Sequence, residues 1–220
     1  MSEEYEVSKR NKVRQLREKA VYDKKAVHEI LDSALLASVG FVQDGQPVVV
    51  PMLYGREGEV VFLHGARKAR VIRLLESTTT ACMNVTHVDA LVYARSAFNS
   101  SMNYRSATIY GSPRLVDDRD EKLHALRVIT ECTMPGRWDE LREPLENEIK
   151  MTGVIALDIE AASAKISTGM PDDEDADYEI PIWAGILPLR SAFTTLESDD
   201  RLIEGVAASD VVRAMEGESL

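Results

Sequence analysis

The chain has 220 residues, 45% hydrophobic and 29% charged, and 37 acidic against 26 basic side chains give a formal net charge of −11. That balance predicts one soluble globular domain with tails and excludes nucleic acid as a general partner, because a phosphate backbone demands a broad basic face. No apolar run reaches the length of a membrane span or of a signal-peptide core. Cys82 and Cys132 lie in apolar surroundings without metal or CxxC spacing, so both are expected as reduced core residues of a cytoplasmic protein without a metal site.

Residues 1–22 are polar and carry Lys9, Arg10, Lys12, Arg14, Arg17 and Lys19. They predict an N-terminal arm that packs over something else rather than forming its own core. Asp23 caps a helix from Lys24, in which Val27, Ile30, Leu31, Ala34 and Leu35 recur as one apolar stripe. Three β-rich segments follow at 36–42, 47–54 and 58–64, separated by Asp44-Gly45 and Arg56-Glu57-Gly58, both hairpin signals. They predict an antiparallel meander closed by a helix over 67–76.

That helix is the electrostatic anomaly of the chain. The strand Phe62-Leu63-His64-Gly65 leads into Arg67, Lys68 and Arg70, three cations where the positive end of a helix dipole and unpaired N–H groups are expected. Such a start suits a phosphate; a solvated basic turn is the alternative. His64 ends the strand directly before this seat, whereas His28, His87 and His124 read as structural or solvent-facing.

Further strands are predicted at 78–85, 90–94 and 104–116. A helix capped at Asp118 follows and is broken by Met134-Pro135-Gly136. After a short helix near Pro144 come strands at 154–160 and 164–168. The core therefore reads as mainly β, antiparallel and barrel-like, with flanking helices. Along 104–110, Tyr104, Ser106, Thr108 and Tyr110 share one strand face, which suits solvent, a ligand cavity or a subunit interface. The acidic run 172–177 lacks calcium-hand spacing and is expected as a solvated loop. Trp183 is open to two readings, core filler or stacking wall. Three regions result: the arm 1–22, a domain over 23–190, and an acidic tail 191–220 with a helix near Ser209–Met215.

Several segments together resemble one family. They are Leu63-His64-Gly65-Ala66, Leu91 to Phe98 with Ser101-Met102-Asn103-Tyr104-Arg105-Ser106, and Pro135-Gly136-Arg137-Trp138. Ser163 to Gly169 and Ile182-Trp183-Ala184-Gly185-Ile186-Leu187-Pro188 complete the set. The chain is similar to the pyridoxamine 5′-phosphate oxidase-like flavoproteins, in the branch with the nitroimidazole-resistance proteins, over roughly residues 12 to 190.

The resemblance implies a split β-barrel that forms a homodimer with one FMN in each of two clefts between subunits. Pro51, Met52, Leu53 and Tyr54 would reach the isoalloxazine edge through backbone groups. Leu63 and His64 would flank the ring and ribityl chain, Arg67 and Lys68 the phosphate. Arg105 and Ser106 would come from the other subunit, and Trp183 would close the cleft. Two departures limit the transfer. Asn99 and Ser100 stand where the branch often has histidines, so no haem or acid–base role attaches there, and the C-terminal Arg-x-His substrate motif of the pyridoxal phosphate enzymes is missing.

The leading expectation is an oxidoreductase that passes hydride from NAD(P)H, or another donor, to a small electrophile such as a nitro compound or quinone. His64 is the one candidate acid–base residue. The alternatives are a flavin-binding or sensing protein without efficient turnover, and a split barrel holding a deazaflavin or haem.

Overall fold

The computed structural model describes residues 3–219. Its centre is one ten-stranded sheet in the order β1-β9-β6-β5-β2-β3-β4-β8-β7, with β10 on β5. Every strand pairing is antiparallel. The strands are β1 (Ala20–Val21), β2 (Leu36–Gln43), β3 (Gln46–Glu57), β4 (Val60–Ala66), β5 (Ala81–Tyr93), β6 (Ser101–Gly111), β7 (Pro113–Leu115), β8 (Thr152–Asp158), β9 (Ala161–Ser167) and β10 (Gly185–Pro188). The helices are α1 (Lys24–Asp32), α2 (Arg70–Ser77), α3 (Arg119–Thr133), α4 (Glu146–Met151) and α5 (Asp210–Ala214). The sheet curves without closing, as the split barrel requires. Among the described residues no helix is long and apolar enough to cross a membrane.

The meander forms for the reasons visible in its turns. Asp44 and Gly45 both take positive φ, 51° and 75°, which a two-residue hairpin loop with native twist needs, and Gly58 does so at 56°. β4 and β8 are sandwiched. Their Leu63, Ile155 and Leu157 enter a main core with Val27, Leu31, Val39, Met83 and Ile109, while Phe62, Val154 and Ala156 pack under Ala125 and Ile129 of α3. Burial on both faces is why Val154 to Leu157 is an unbroken apolar run rather than an alternation. α3 lies against β3 because Gly55 has no side chain: a Cβ there would stand 2.7 Å from the Ile129 Cα.

Several boundaries differ from expectation. α2 begins at Arg70, so Arg67 and Lys68 precede the helix. The segments 78–85 and 90–94 are one strand, β5, whose register slips between Val88 and Ala90. The segment 104–116 divides at Ser112 into β6 and β7. Cys132 is exposed and Cys82 half-buried, so neither is a core residue, although both are free thiols.

The arm is tied to the sheet. Tyr5 is buried and donates to Glu59 Oε2 at 2.7 Å, and the Asn11 amide donates to Ala162 O at 2.9 Å. The tail folds back likewise: Ser209 caps α5, Val211 covers Gly136, and Ala192 bridges Ser219.

Candidate functional site

β3 and β4 pair from Glu57 opposite Val60 to Tyr54 opposite Leu63; beyond that pair 51–53 lie against β2 and 64–66 against β8, so residues 51–54 form a ledge that meets 63–66 at the Tyr54–Leu63 pair. Alternation sorts their side chains. Met52, Tyr54 and Leu63 are buried, the Tyr54 hydroxyl donates to Leu31 O, and burial, aided by the nearby Asp32 carboxylate, raises its pKa. These three residues can meet a ligand only through backbone groups. Pro51 and Leu53 point outward and are exposed.

His64 sits on the opposite strand face from Leu63, opposite Val154 on β8. Its ring is half-buried, and Nδ1 is fully buried with no hydrogen-bond partner. Burial pushes its pKa below the usual 6.5, so the imidazole is neutral at pH 7. A neutral imidazole with one nitrogen sequestered offers Nε2 as its working atom.

The chain then leaves β4 for α2. The Arg67 N–H donates to Met151 O at 2.7 Å, which fixes the turn, and the absence of a side chain at Gly153 lets Arg67 lie over β8. The Arg67 guanidinium forms two hydrogen bonds to Glu76, at 3.0 and 3.1 Å, and Arg70 donates to Gln43 Oε1 at 2.6 Å. Lys68 is exposed and makes no ion pair among the described residues. Ala69 is the N-cap and provides no side-chain acceptor, and the first turn holds no acid. The helix start is therefore uncapped and ringed by cations, one of them free, which suits an anion.

Arg105 and Ser106 lie elsewhere. β6 is separated from β4 by β5, β2 and β3, four strand spacings or about 19 Å along the sheet. Arg105 grips both oxygens of Asp89 at 3.0–3.2 Å and opens on a concavity of about 720 Å³ shared with His87 and Arg190. Trp183, 70% exposed, packs over Gly185 with its ring 5.9 Å from that of Tyr93. One chain thus unites 51–54 with 63–68 but keeps 105–106 and 183 apart from them.

The structure also holds an ion pair that the sequence pattern does not reveal. Asp173, inside the acidic run expected to be solvated, has a fully buried side chain. It accepts from the Arg95 N–H at 2.8 Å and from Nη1 at 2.9 Å, while the guanidinium lies 4.8 Å from the Tyr178 ring centre. In a run of six residues with five carboxylates, nothing distinguishes the one that turns inward.

An open, mostly antiparallel sheet with a few flanking helices is the split-barrel fold. The family model for pyridoxamine 5′-phosphate oxidase matches residues 23–166, and the chain belongs to that flavin-binding family. Among solved structures, the flavocytochrome Anf3 from Azotobacter vinelandii is 36% identical, with 96% of this chain and 98% of that one covered and a TM-score of 0.90. The FAD and haem binding protein from Mycobacterium smegmatis is 35% identical over 90% of this chain and 98% of that one, at 0.87. A 5-nitroimidazole antibiotic resistance protein from Bacteroides thetaiotaomicron shares the fold at 23% identity, covering 67% of this chain and 86% of that one, at 0.58. No curated protein matches the sequence.

Proposed function

We propose that this protein is a flavin-dependent oxidoreductase working as a homodimer, with the flavin phosphate at residues 66–70 and the ring on the 51–54 ledge. The observation that carries this reading is the uncapped start of α2, which leaves N–H groups and Lys68 unpaired at the end of a strand. The seat suits FMN or the FMN half of FAD, and the relative at 35% identity, an FAD and haem binding protein, favours the dinucleotide. The second subunit is invoked because Arg105, Ser106 and Trp183 lie far along the sheet from the ledge in their own chain.

When bound, the flavin supplies the redox chemistry, taking hydride from NAD(P)H or another donor and passing electrons to a small electrophile such as a nitro compound or quinone. The chain supplies the rest. Backbone groups of Pro51 to Tyr54 orient the ring edge, and Pro51 and Leu53 shield it from water. Neutral His64 offers Nε2 as a hydrogen-bond partner to the acceptor, and passes on a proton there only after first taking one up. The free thiols of Cys82 and Cys132 suit a reducing cytoplasm.

A second reading adds haem. His64, with its neutral imidazole, would hold the haem iron, and the relatives at 35–36% identity are described as an FAD and haem binding protein and as a flavocytochrome.

The test is the absorption spectrum of freshly purified protein, with the released flavin identified by chromatography and haem by its pyridine haemochrome. A yellow protein that bleaches with NAD(P)H under anaerobic conditions supports the reductase. Yellow protein that does not bleach with any donor leaves a flavin-binding module without turnover, and colourless protein removes the flavin.

A further inference from the structure

The basic residues of the N-terminal arm have no place in the reading so far. Lys9, Lys12, Arg14 and Arg17 line one concavity of about 430 Å³ with Val7 and Ser8. None of the four makes an ion pair among the described residues. Their neighbour Arg10 does pair, with Glu160 at 3.0 Å, and Glu6 and Glu18 beside them in sequence pair with none of the four. Four uncompensated cations around one hollow repel one another, on a protein whose net charge of −11 offers ample carboxylates.

The hollow is also built rather than frayed. The Asn11 carboxamide is buried, accepts from the Ser8 N–H at 2.7 Å and donates to Glu6 O and Ala162 O. The Val13 N–H donates to the Tyr22 hydroxyl at 2.9 Å. Leu16 takes the left-handed conformation, φ 53°, which costs a branched apolar residue on the order of 1 kcal/mol and turns Arg17 back toward Arg14 O. The segment is pinned at both ends, and cations held in place bind anions better than cations on a loose tail.

We propose that this hollow binds the diphosphate of a dinucleotide. Guanidinium and ammonium groups with no aromatic wall recognise phosphates rather than a base or ring. Its place suits the same ligand: Lys19 donates to Ser167 on β9, Ser167 lies opposite Tyr104 on β6, and Tyr104 precedes Arg105, the residue assigned to the flavin bound mainly by the other subunit. The inference rests on that reading for its choice of ligand. Two sources share the chemistry, the adenylate end of the flavin's diphosphate, beyond the phosphate seated at 66–70 of the other subunit, and the diphosphate of a soluble nicotinamide dinucleotide.

The test compares the wild-type protein as purified with the pair Lys12→Glu and Arg14→Glu, and with the milder pair Lys12→Gln and Arg14→Gln to exclude misfolding. Inorganic pyrophosphate and ADP are titrated by calorimetry, and bound flavin is quantified and identified. If the wild type binds pyrophosphate, more weakly at higher salt, and both variants lose at least tenfold in affinity with flavin retained, the site serves a soluble dinucleotide. If the wild type binds neither probe and the variants lose FAD or retain only FMN, the site serves the flavin. Variants that keep their flavin and match the wild type in both titrations overturn the proposal. A wild type without flavin would defeat the proposed function, while the pyrophosphate titration would still decide the hollow.

Discussion

At the residue scale His64 joins the two readings of the site. His64→Ala is expected to slow reduction of a nitro substrate on the order of 100-fold with flavin content unchanged. If His64 instead holds haem, the same variant loses the Soret band and keeps its flavin. Unchanged turnover with every acceptor and an unchanged spectrum would remove both roles.

Three histidines also set a pH dependence. His28, His64 and His87 all have pKa values lowered below 6.5, in each case mainly by burial. A histidine lowered in the folded state is neutral there while the unfolded chain takes up protons. Its stabilising effect is therefore present above about pH 6.5 and is lost as pH falls below that value toward the folded pKa. The melting temperature of flavin-free protein should fall between pH 7 and pH 5, with each engaged proton contributing at most about 1.4 kcal/mol per pH unit. Glu59, whose pKa is lowered by Lys24 and Tyr5 against the opposing effect of its own burial, adds to the loss only at lower pH. A flat profile over pH 5–7 would contradict this.

At the element scale the start of α2 is more specific than its sequence. Arg67 and Lys68 stand before the helix, and Arg67 is held by Glu76. Charge reversal of both, Arg67→Glu with Lys68→Glu, should give folded, colourless protein; adding Glu76→Arg removes the new like-charge pair and should restore stability but not colour. Yellow protein from either variant would place the phosphate elsewhere. The segment after β9 depends on a different contact. Asp173→Ala leaves Arg95 without its buried partner and should destabilise by about 3 kcal/mol in urea unfolding, far more than the same change at exposed Asp172 or Asp175.

At the scale of the whole molecule, the outer sheet face leaves Leu36, Val42, Val49, Leu53, Leu91 and Met102 exposed. An apolar face of this extent on an otherwise charged chain is what a subunit interface requires. Val49→Asp with Leu53→Asp should convert the proposed dimer to monomer in sedimentation and release flavin with it. Monomeric wild-type protein would defeat the two-subunit cleft.

Much of this was legible in one sequence because the signals are local. Asp23 and Asp118 cap their helices through their own side chains, and Asp44-Gly45 turns the first hairpin by its own φ preferences. The motifs around Leu63 and Ser101 carried the family, and the domain model bears that out. What local pattern could not decide depends on partners distant in the chain. Whether Arg67 is free depends on Glu76, whether Asp173 is solvated depends on Arg95, 78 residues away, and whether the arm's cations are paired depends on where β9 holds Asn11. A carboxylate or a lysine looks the same in sequence whether it faces water or a counterion. Only the fold brings the second charge near or leaves it out, and that choice paired Arg67 with Glu76 while leaving Lys68 and the cations of the arm's hollow without an ion-pair partner among the described residues.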